Sequence, residues 1–371
     1  HQLSRGLGDV YKRQHINGVG IKKILAVVLV FTTQLLCEPV TAEVKLNGFG
    51  SFAVGRVIDG EEFLADFPKT GIYDTDLSID PDTTLGLQLS SYFTSDFSLI
   101  AQVAVHGARD YDPDLDWLYL NYYLTPELSV QAGRKRLPLY YYSDYFDVGY
   151  AYYWIRPPPD VYTWQITNYN GVSLLYETAF GQWDTSLSLY YGSEESEDND
   201  LLSLLFEASV DETWKNMIGI VATAANNWLE VRFTHMQGLI DRQISGVTVI
   251  NDAEQQFLGL SVNLTFDHLL VLSEFNNYQQ PDNDVEYDAY LLSLGYQVGE
   301  LTPHITRSGF KQKINDQGND ESHTTTSVGL RWDVVDNIAV KVQYDKVIDE
   351  GVVVPIKGDS ESISFAVDFV F

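Results

Sequence analysis

The sequence predicts an all-β protein, a 16-stranded antiparallel transmembrane β-barrel with long extracellular loops and an inward-folded third loop. From Leu46 onward, apolar and polar residues alternate with a period of two. The alternating segments run to about ten residues, the length of a tilted membrane-spanning strand. Tight turns and long polar stretches also alternate along the chain, and the stretch 137–168 is much longer than the loop before it.

The N-terminal segment predicts export. Residues 1–14 have no useful period and are interpreted as a non-native or read-through leader. Residues 15–42 are interpreted as a signal peptide, since they combine basic residues at 22–23, an apolar run at 24–31 and small residues at 40–42. We expect cleavage after residue 42. A transmembrane anchor is not expected, because the apolar run is far shorter than the ~20 residues of a membrane-spanning helix.

The position of the single cysteine and the net charge of the chain limit the functions that the protein could have. The single cysteine, Cys37, lies in the signal peptide; a lipoprotein signal acylated there is the alternative, although Leu36 stands where a small residue is expected. Residues 1–42 hold five basic and two acidic residues of the chain's 23 and 52, so the mature chain has 18 and 50, a net charge of −32. Such a surface repels phosphate backbones, and no nucleic-acid partner is expected.

Period-two alternation is clean in several predicted strands. Leu85, Leu87 and Leu89 face one way, and the polar and small residues between them face the other. The segments 97–106 and 258–266 repeat the pattern. A half-buried strand of a soluble sandwich alternates in the same way. The connections therefore have to discriminate between a sandwich and a barrel.

The connections favour a membrane barrel. Tight links are predicted at 94–95, 125–127, 180–182, 226–227, 267, 299–300 and 335–336. Long polar stretches are predicted at 58–81, 107–113, 137–168, 192–215, 238–253, 279–286, 313–321 and 348–360. Short turns at one end and long loops at the other are typical of outer-membrane barrels. Eight loops and seven turns give sixteen strands, provided that Leu201–Val210 belongs to the fourth loop. A lumen of that size is too wide for side chains to fill, which predicts an aqueous channel.

The stretch 137–168 is expected to fold inward and narrow the channel. Basic residues precede it at 134–136, aromatic residues fill 140–154, and prolines at 157–159 exclude it from a sheet ladder. The aromatic run has two interpretations, a stacking track for sugars or packing that holds the loop against the barrel wall.

Charged residues on inner strand faces are the candidate pore-lining residues, because a charge facing lipid at mid-depth costs ~2–4 kcal/mol. The candidate pore-lining and constriction residues are Arg134, Arg136, Asp144, Asp147, Arg156, Arg232, Arg331 and Lys341. Rings of charge select ions in a pore. The alternative for the strand residues is pairing with lumen carboxylates for stability, and for residues 134–136 it is snorkelling at the membrane interface.

Enzymatic and metal sites are not expected. The chain has no glycine-rich phosphate loop, no H-E-x-x-H motif and no nucleophile elbow. No spacing of oxygen ligands predicts a calcium site, and no cofactor is expected. The acidic runs Asp59–Glu62 and Glu194–Asp200 are interpreted as solvated loop faces, or as sites for divalent cations between lipopolysaccharide molecules.

Residues 43–371 resemble the Gram-negative general-diffusion porins. The opening strand LNGFGSFAVGRV and the closing strand Ser362–Phe371, with Phe369, Phe365 and Phe371 on one face, carry the resemblance together with the turn and loop pattern. The resemblance implies a trimer in the outer membrane, surrounded by lipid and lipopolysaccharide, with a C-terminal strand read by the barrel-assembly machinery. It further implies passive diffusion of small hydrophilic solutes and ions through a water-filled channel.

The chain departs from this family at the constriction. Porins often place an acidic cluster in the third loop opposite a basic ladder; here Asp144, Asp147 and Asp160 are available, but aromatic residues dominate. A channel biased towards phosphate, other anions or sugars is therefore an alternative function. An outer-membrane barrel enzyme or a receptor is a second alternative.

Overall fold

The computed structural model describes residues 43–314, 321–351 and 358–371. The predicted leader, 1–14, and the predicted signal peptide, 15–42, lie outside the described residues.

Sixteen antiparallel strands form one closed barrel, which confirms the predicted fold class. The barrel strands are β1 (Glu43–Asp59), β4 (Thr84–Tyr92), β5 (Phe97–His106), β6 (Pro113–Thr125), β7 (Leu128–Arg136), β8 (Asn168–Phe180), β9 (Trp183–Ser196), β10 (Val210–Ala225), β11 (Leu229–Ile244), β12 (Val247–Phe266), β13 (Leu269–Gln280), β14 (Val285–Tyr296), β15 (Leu301–Ile314), β16 (Glu321–Val335), β17 (Ile338–Asp349) and β18 (Ser360–Val370). The first long loop carries a separate two-stranded sheet, β2 (Phe63–Asp66) and β3 (Gly71–Tyr73).

The barrel closes where its first and last strands meet. The register of β1 against β18 runs from Phe49 opposite Val370 to Asp59 opposite Glu361. The main chains of Gly48 and Phe371 exchange two hydrogen bonds of 2.9 Å beyond the last pair. Closure leaves no free sheet edge, and a free edge cannot be satisfied inside a bilayer.

The outer surface is apolar. On β12, Leu258 and Leu260 are 40% and 43% exposed, whereas Phe257 and Ser261, which flank them, are buried on the inner face. Val103 and Leu87 on neighbouring strands are also exposed, as the alternation predicts. Aromatic residues gather near the tight turns, where Trp228 and Phe266 stack at 5.5 Å, together with Tyr122, Tyr176 and Tyr296. An aromatic girdle around an apolar band is typical of membrane barrels.

The predicted tight links join the strands at one end, called the turn end below, and the long connections lie at the loop end. The segment Leu201–Val210 lies in the fourth loop, as expected, apart from Val210, which begins β10. Its main element is helix α1 (Asp200–Phe206), whose N-cap Asn199 accepts a hydrogen bond from the main-chain N–H of Leu202 at 3.0 Å.

Two predicted loops are shorter than expected. The prediction of a long loop at 238–253 is wrong, because only Ser245 and Gly246 connect β11 to β12. Both residues have positive φ, 50° and 77°, as a two-residue hairpin turn requires. The fourth loop is likewise shortened to 197–209. A strand that continues past the rim into water has two polar faces, so its sequence resembles that of a loop.

Within the described residues, no helix has the length and apolar character needed to cross a membrane.

Candidate functional site

Loop 3, defined as residues 137–167 between β7 and β8, folds into the barrel lumen. A hydrogen bond of 2.9 Å from the Leu137 N–H to the Thr167 carbonyl closes its base. Two single turns of 3-10 helix, Ser143–Tyr145 and Gly149–Ala151, shape its first half. The prolines at 157–159 have no N–H group and keep the second half out of the sheet. The prediction of an inward-folded third loop is confirmed.

Apolar packing fixes loop 3 against one side of the barrel. The buried Trp164 meets Trp214, Phe257 and Tyr278 of the inner wall edge-to-face, with ring centroids 5.0, 5.2 and 4.9 Å apart. Most of the loop's aromatic residues are buried in the same way, namely Tyr140, Tyr152, Tyr153, Trp154 and Tyr162. Burial of the rings supports the packing interpretation of the aromatic run rather than a sugar-stacking track.

Three basic residues of the inner wall bind the main chain of loop 3. Each donates to two carbonyl oxygens. Arg232 donates to Pro138 at 2.7 Å and to Leu139 at 3.2 Å, and Arg331 donates to Tyr150 and Tyr152, both at 2.8 Å. Lys341 donates to Gly149 at 2.7 Å and to Trp154 at 2.6 Å. Their positive charges therefore meet carbonyl dipoles, and the wall and the loop are joined at two places, one at Arg232 and one at the cross-strand pair of Arg331 and Lys341.

Lys341 also carries an ion pair. Its Nζ lies 2.6 Å from Oδ2 of Asp368, and both side chains are 0% exposed. The ammonium group thus contacts two carbonyl oxygens and one carboxylate. This arrangement supports the alternative interpretation, in which Lys341 forms a stabilising pair, rather than the interpretation in which Lys341 contacts solutes.

Arg156 crosses from loop 3 to the opposite wall. Its Nε lies 2.9 Å from both carboxylate oxygens of Asp82, and its Nη1 donates to Asp345 at 2.7 Å. Nη2 donates to the Ser364 hydroxyl at 2.6 Å. The guanidinium is buried, and because its five donors form a fixed fork, it connects loop 3 with the first loop and with β17 and β18.

Asp147 lies at the centre of a buried charge cluster. Its carboxylate accepts hydrogen bonds from Lys69 at 3.2 Å and from Arg136, and it lies 3.0 Å from His106 Nε2. Burial on its own would raise the pKa of Asp147, but Lys69, Arg136 and His106 together hold it well below its usual range. The carboxylate therefore stays ionised and holds loop 3 near β5 and β7.

Asp160 is the corresponding anchor in the second half of the loop. It accepts hydrogen bonds from Ser308 at 2.6 Å and from the main chain of Thr325 at 3.1 Å, and its Oδ1 lies 2.7 Å from His323. Burial would raise the pKa of Asp160, but His323 and the hydroxyl donors lower it. Loop 3 is thus held by carboxylates as well as by the wall cations.

The remaining two sequence-predicted residues lie apart from these anchors. Arg134 donates to both carboxylate oxygens of Glu194 at 2.7 and 2.9 Å, and its side chain is 29% exposed. Glu194 lies in β9, and its carboxylate is paired with Arg134. It is therefore not part of a solvated loop face, contrary to the interpretation of the acidic run. Asp144 lies exposed on the first 3-10 turn of loop 3.

Sequence reasoning missed Lys135. Its strand partner is Tyr169, an inner-face residue, and its Nζ donates to Ser173 at 3.0 Å and to Gln131. The ammonium lies 5.3 Å from the ring centre of Tyr119. Treating residues 134–136 as one basic run hid this position. Alternation counted from Gln131 would have placed Lys135 on the inner face.

Part of the inner wall is not covered by loop 3. Tyr119, Gln131 and Lys135 are half-buried, and Glu177 and Asp184 nearer the turn end are exposed. The inner faces of β6 to β11 that carry these residues, together with the exposed side of loop 3, are called the open sector below. The described residues contain no group of three or more side chains arranged to hold a metal ion.

No protein-family model and no curated protein sequence matches this chain. Solved structures of similar fold do exist. The outer-membrane expressed OmpT of Vibrio cholerae has a TM-score of 0.59 and 13% identity, over 91% of this chain and 99% of that one. Salmonella typhi OmpF in complex with daunomycin has a TM-score of 0.60 and 12% identity, covering 90% and 99%. An anion-selective porin from Comamonas acidovorans has a TM-score of 0.57 and 12% identity, covering 89% and 100%. The chain therefore has a porin-like fold.

Proposed function

We propose that the protein is an outer-membrane channel of the porin type, through which small hydrophilic solutes and ions diffuse passively. The observation that carries the proposal is the closed sixteen-stranded barrel with its apolar outer face and its partly uncovered polar inner wall. An apolar outer band suits hydrocarbon, and a polar lumen suits water. We propose no enzymatic turnover.

Loop 3 sets the size limit in this proposal. It is anchored to β11, β16 and β17 through Arg232, Arg331 and Lys341, so it crosses the lumen and narrows it. Solutes would pass along the open sector. Because both apolar packing and ion pairs hold the loop, we expect a passage of constant width and a conductance below that of an unobstructed sixteen-stranded pore.

Further partners are proposed on the same basis. The outer face would contact membrane lipid and, at the loop end, lipopolysaccharide. The closing strand, in which Phe369 and Phe371 stack at 6.4 Å, would be recognised by the barrel-assembly machinery. A homotrimer is proposed from the porin-like fold, and one similar structure, an in-vitro folded OmpT of Vibrio cholerae, is described as a trimer form.

Single-channel recording in planar lipid bilayers tests the proposal. We expect discrete conductance steps from the purified, folded protein, and uptake of small but not large sugars by vesicles that contain it. Heat-modifiable migration on a gel controls for folding of the barrel. A folded barrel that adds no conductance and admits no sugar would refute the channel and would favour a receptor or an enzyme.

A further inference from the structure

The strand register assembles carboxylates on the inner wall of the open sector. Asp184 of β9 lies opposite Ala225 of β10, which in turn lies opposite Glu230 of β11. Directly opposed residues of antiparallel strands share a face. Glu177 of β8 joins the same face through its partner Ser186. Three acidic side chains from three strands therefore line this wall near the turn end.

Loop 3 adds a fourth carboxylate. Asp144 is exposed on the side of the loop that faces β7, where it interacts electrostatically with Lys135. Close by, the Tyr141 hydroxyl donates to Glu230 at 3.2 Å, so the loop tip lies beside the acidic wall. A solute that passes along the open sector would meet Asp144 first and the acidic wall afterwards.

The basic residues of the lumen do not balance these carboxylates. Arg156 is paired with Asp82 and Asp345, Lys341 with Asp368, and Arg136 with Asp147. Arg232 donates to the carbonyl oxygens of loop 3. Lys135 differs, because its partners are the neutral Gln131 and Ser173. In the open sector, four carboxylates therefore face two cationic groups, the Lys135 ammonium and the buried Arg232 guanidinium.

We infer that the open sector selects cations over anions, an inference that rests on the proposed channel function. Charges that line a narrow lumen with low-dielectric walls raise the local concentration of counter-ions. Acidic rings are the usual means by which pores prefer cations. Inorganic cations and small organic cations, such as amines, are the solute class that this wall would favour. Arg136, Arg156 and Lys341 are neutralised by their carboxylate partners and take no part in the selection.

Reversal potentials in a KCl gradient test the inference on the intact, folded protein. We expect the reversal potential to be shifted towards the potassium equilibrium potential. Asp144→Asn and Asp184→Asn should each lower the potassium-to-chloride permeability ratio by about twofold or more, and Lys135→Gln should raise it. The effects should shrink at high salt, since the Debye length falls to about 3 Å at 1 M.

Asp112→Asn is the matched control, because this aspartate is exposed in the second loop, outside the lumen. The potassium-to-chloride permeability ratio of Asp112→Asn should equal that of the unaltered protein. Absence of any conductance would refute the channel itself. Conductance that reverses towards the chloride potential would refute only the cation preference. A control that changes the ratio as much as Asp144→Asn would assign the preference to general surface charge and overturn the role of the open sector.

Discussion

Lys341 shows how burial changes the role of a charged residue. Alternation places it on the inner wall, where a basic side chain could attract anions. The structure instead buries its ammonium between Asp368 and the carbonyl oxygens of Gly149 and Trp154. Removing one partner of a buried ion pair is far more destabilising than removing an exposed pair, because it leaves an uncompensated charge. We therefore interpret Lys341 as an anchor of loop 3.

Lys341→Met tests this anchor. The substitution strands the Asp368 carboxylate and two loop carbonyl oxygens, so we expect a loss of about 3–5 kcal/mol in the free energy of unfolding. Equilibrium urea unfolding in lipid vesicles measures the loss. Channel recordings should show larger current fluctuations, since the loop loses its tie to β17.

Lys346→Met is the matched control on the same strand. Lys346 pairs with Glu361 at 2.6 Å, but its side chain is 49% exposed. Exposed pairs contribute about 0–1 kcal/mol, so this variant should unfold nearly as the unaltered protein does. Equal losses from both substitutions would contradict the anchor interpretation of Lys341.

Loop 3, as an element, acts as an internal core. A barrel of sixteen strands leaves a wide lumen, and here apolar side chains of the loop pack against apolar residues of the inner wall. Trp164 occupies the middle of this contact, with four aromatic neighbours from β10, β12, β13 and β14. The sheet provides closure, whereas the loop provides most of the buried apolar packing.

Trp164→Ala should loosen the loop without opening the barrel. Deleting a buried tryptophan side chain typically costs about 3–5 kcal/mol. We expect faster hydrogen exchange and faster protease cleavage within loop 3, with the strands still protected. Tyr145→Ala is the control, because Tyr145 is 57% exposed on the same loop. Unchanged exchange in Trp164→Ala would show that the ion pairs alone hold the loop.

At the scale of the whole molecule, the barrel is apolar outside and polar or loop-covered inside. Leu260 faces outward from β12 in the region where this strand is paired on both sides. Val249 lies on the same strand but beyond the first β13 pair, at Gln256, in the projecting part of the β11–β12 hairpin. The two positions share strand and exposure but differ in the proposed surroundings, lipid for Leu260 and water for Val249.

Leu260→Arg should destabilise the folded protein in lipid vesicles by ~2–4 kcal/mol, the cost of a basic side chain at mid-membrane depth. Val249 is 52% exposed in the hairpin, so Val249→Arg should lower the free energy of unfolding only slightly. Unfolding by denaturant in the same vesicles compares the two variants. If Val249→Arg proved as costly as Leu260→Arg, the membrane boundary along β12 would lie elsewhere.

The strand plan was predictable because it depends on local signals. Period-two alternation marks each strand that has one apolar face, and short and long connections mark its ends, so the tight link after Phe180 and the closing strand at Phe371 were located correctly. The same reasoning failed at 238–253, because the hairpin above the rim has water on both faces and so lacks an apolar face to reveal it.

Amino-acid sequence alone therefore determined the class of the barrel, its sixteen strands and its inward third loop. Only the tertiary structure decided which charges remain free. Arg156 meets Asp345 at a separation of 189 residues, and Asp160 meets His323 at a separation of 163 residues. No local pattern encodes such distant partners. Lys135 and Asp144 stay accessible for the same physical reason: the path of loop 3 across the lumen is set by long-range packing.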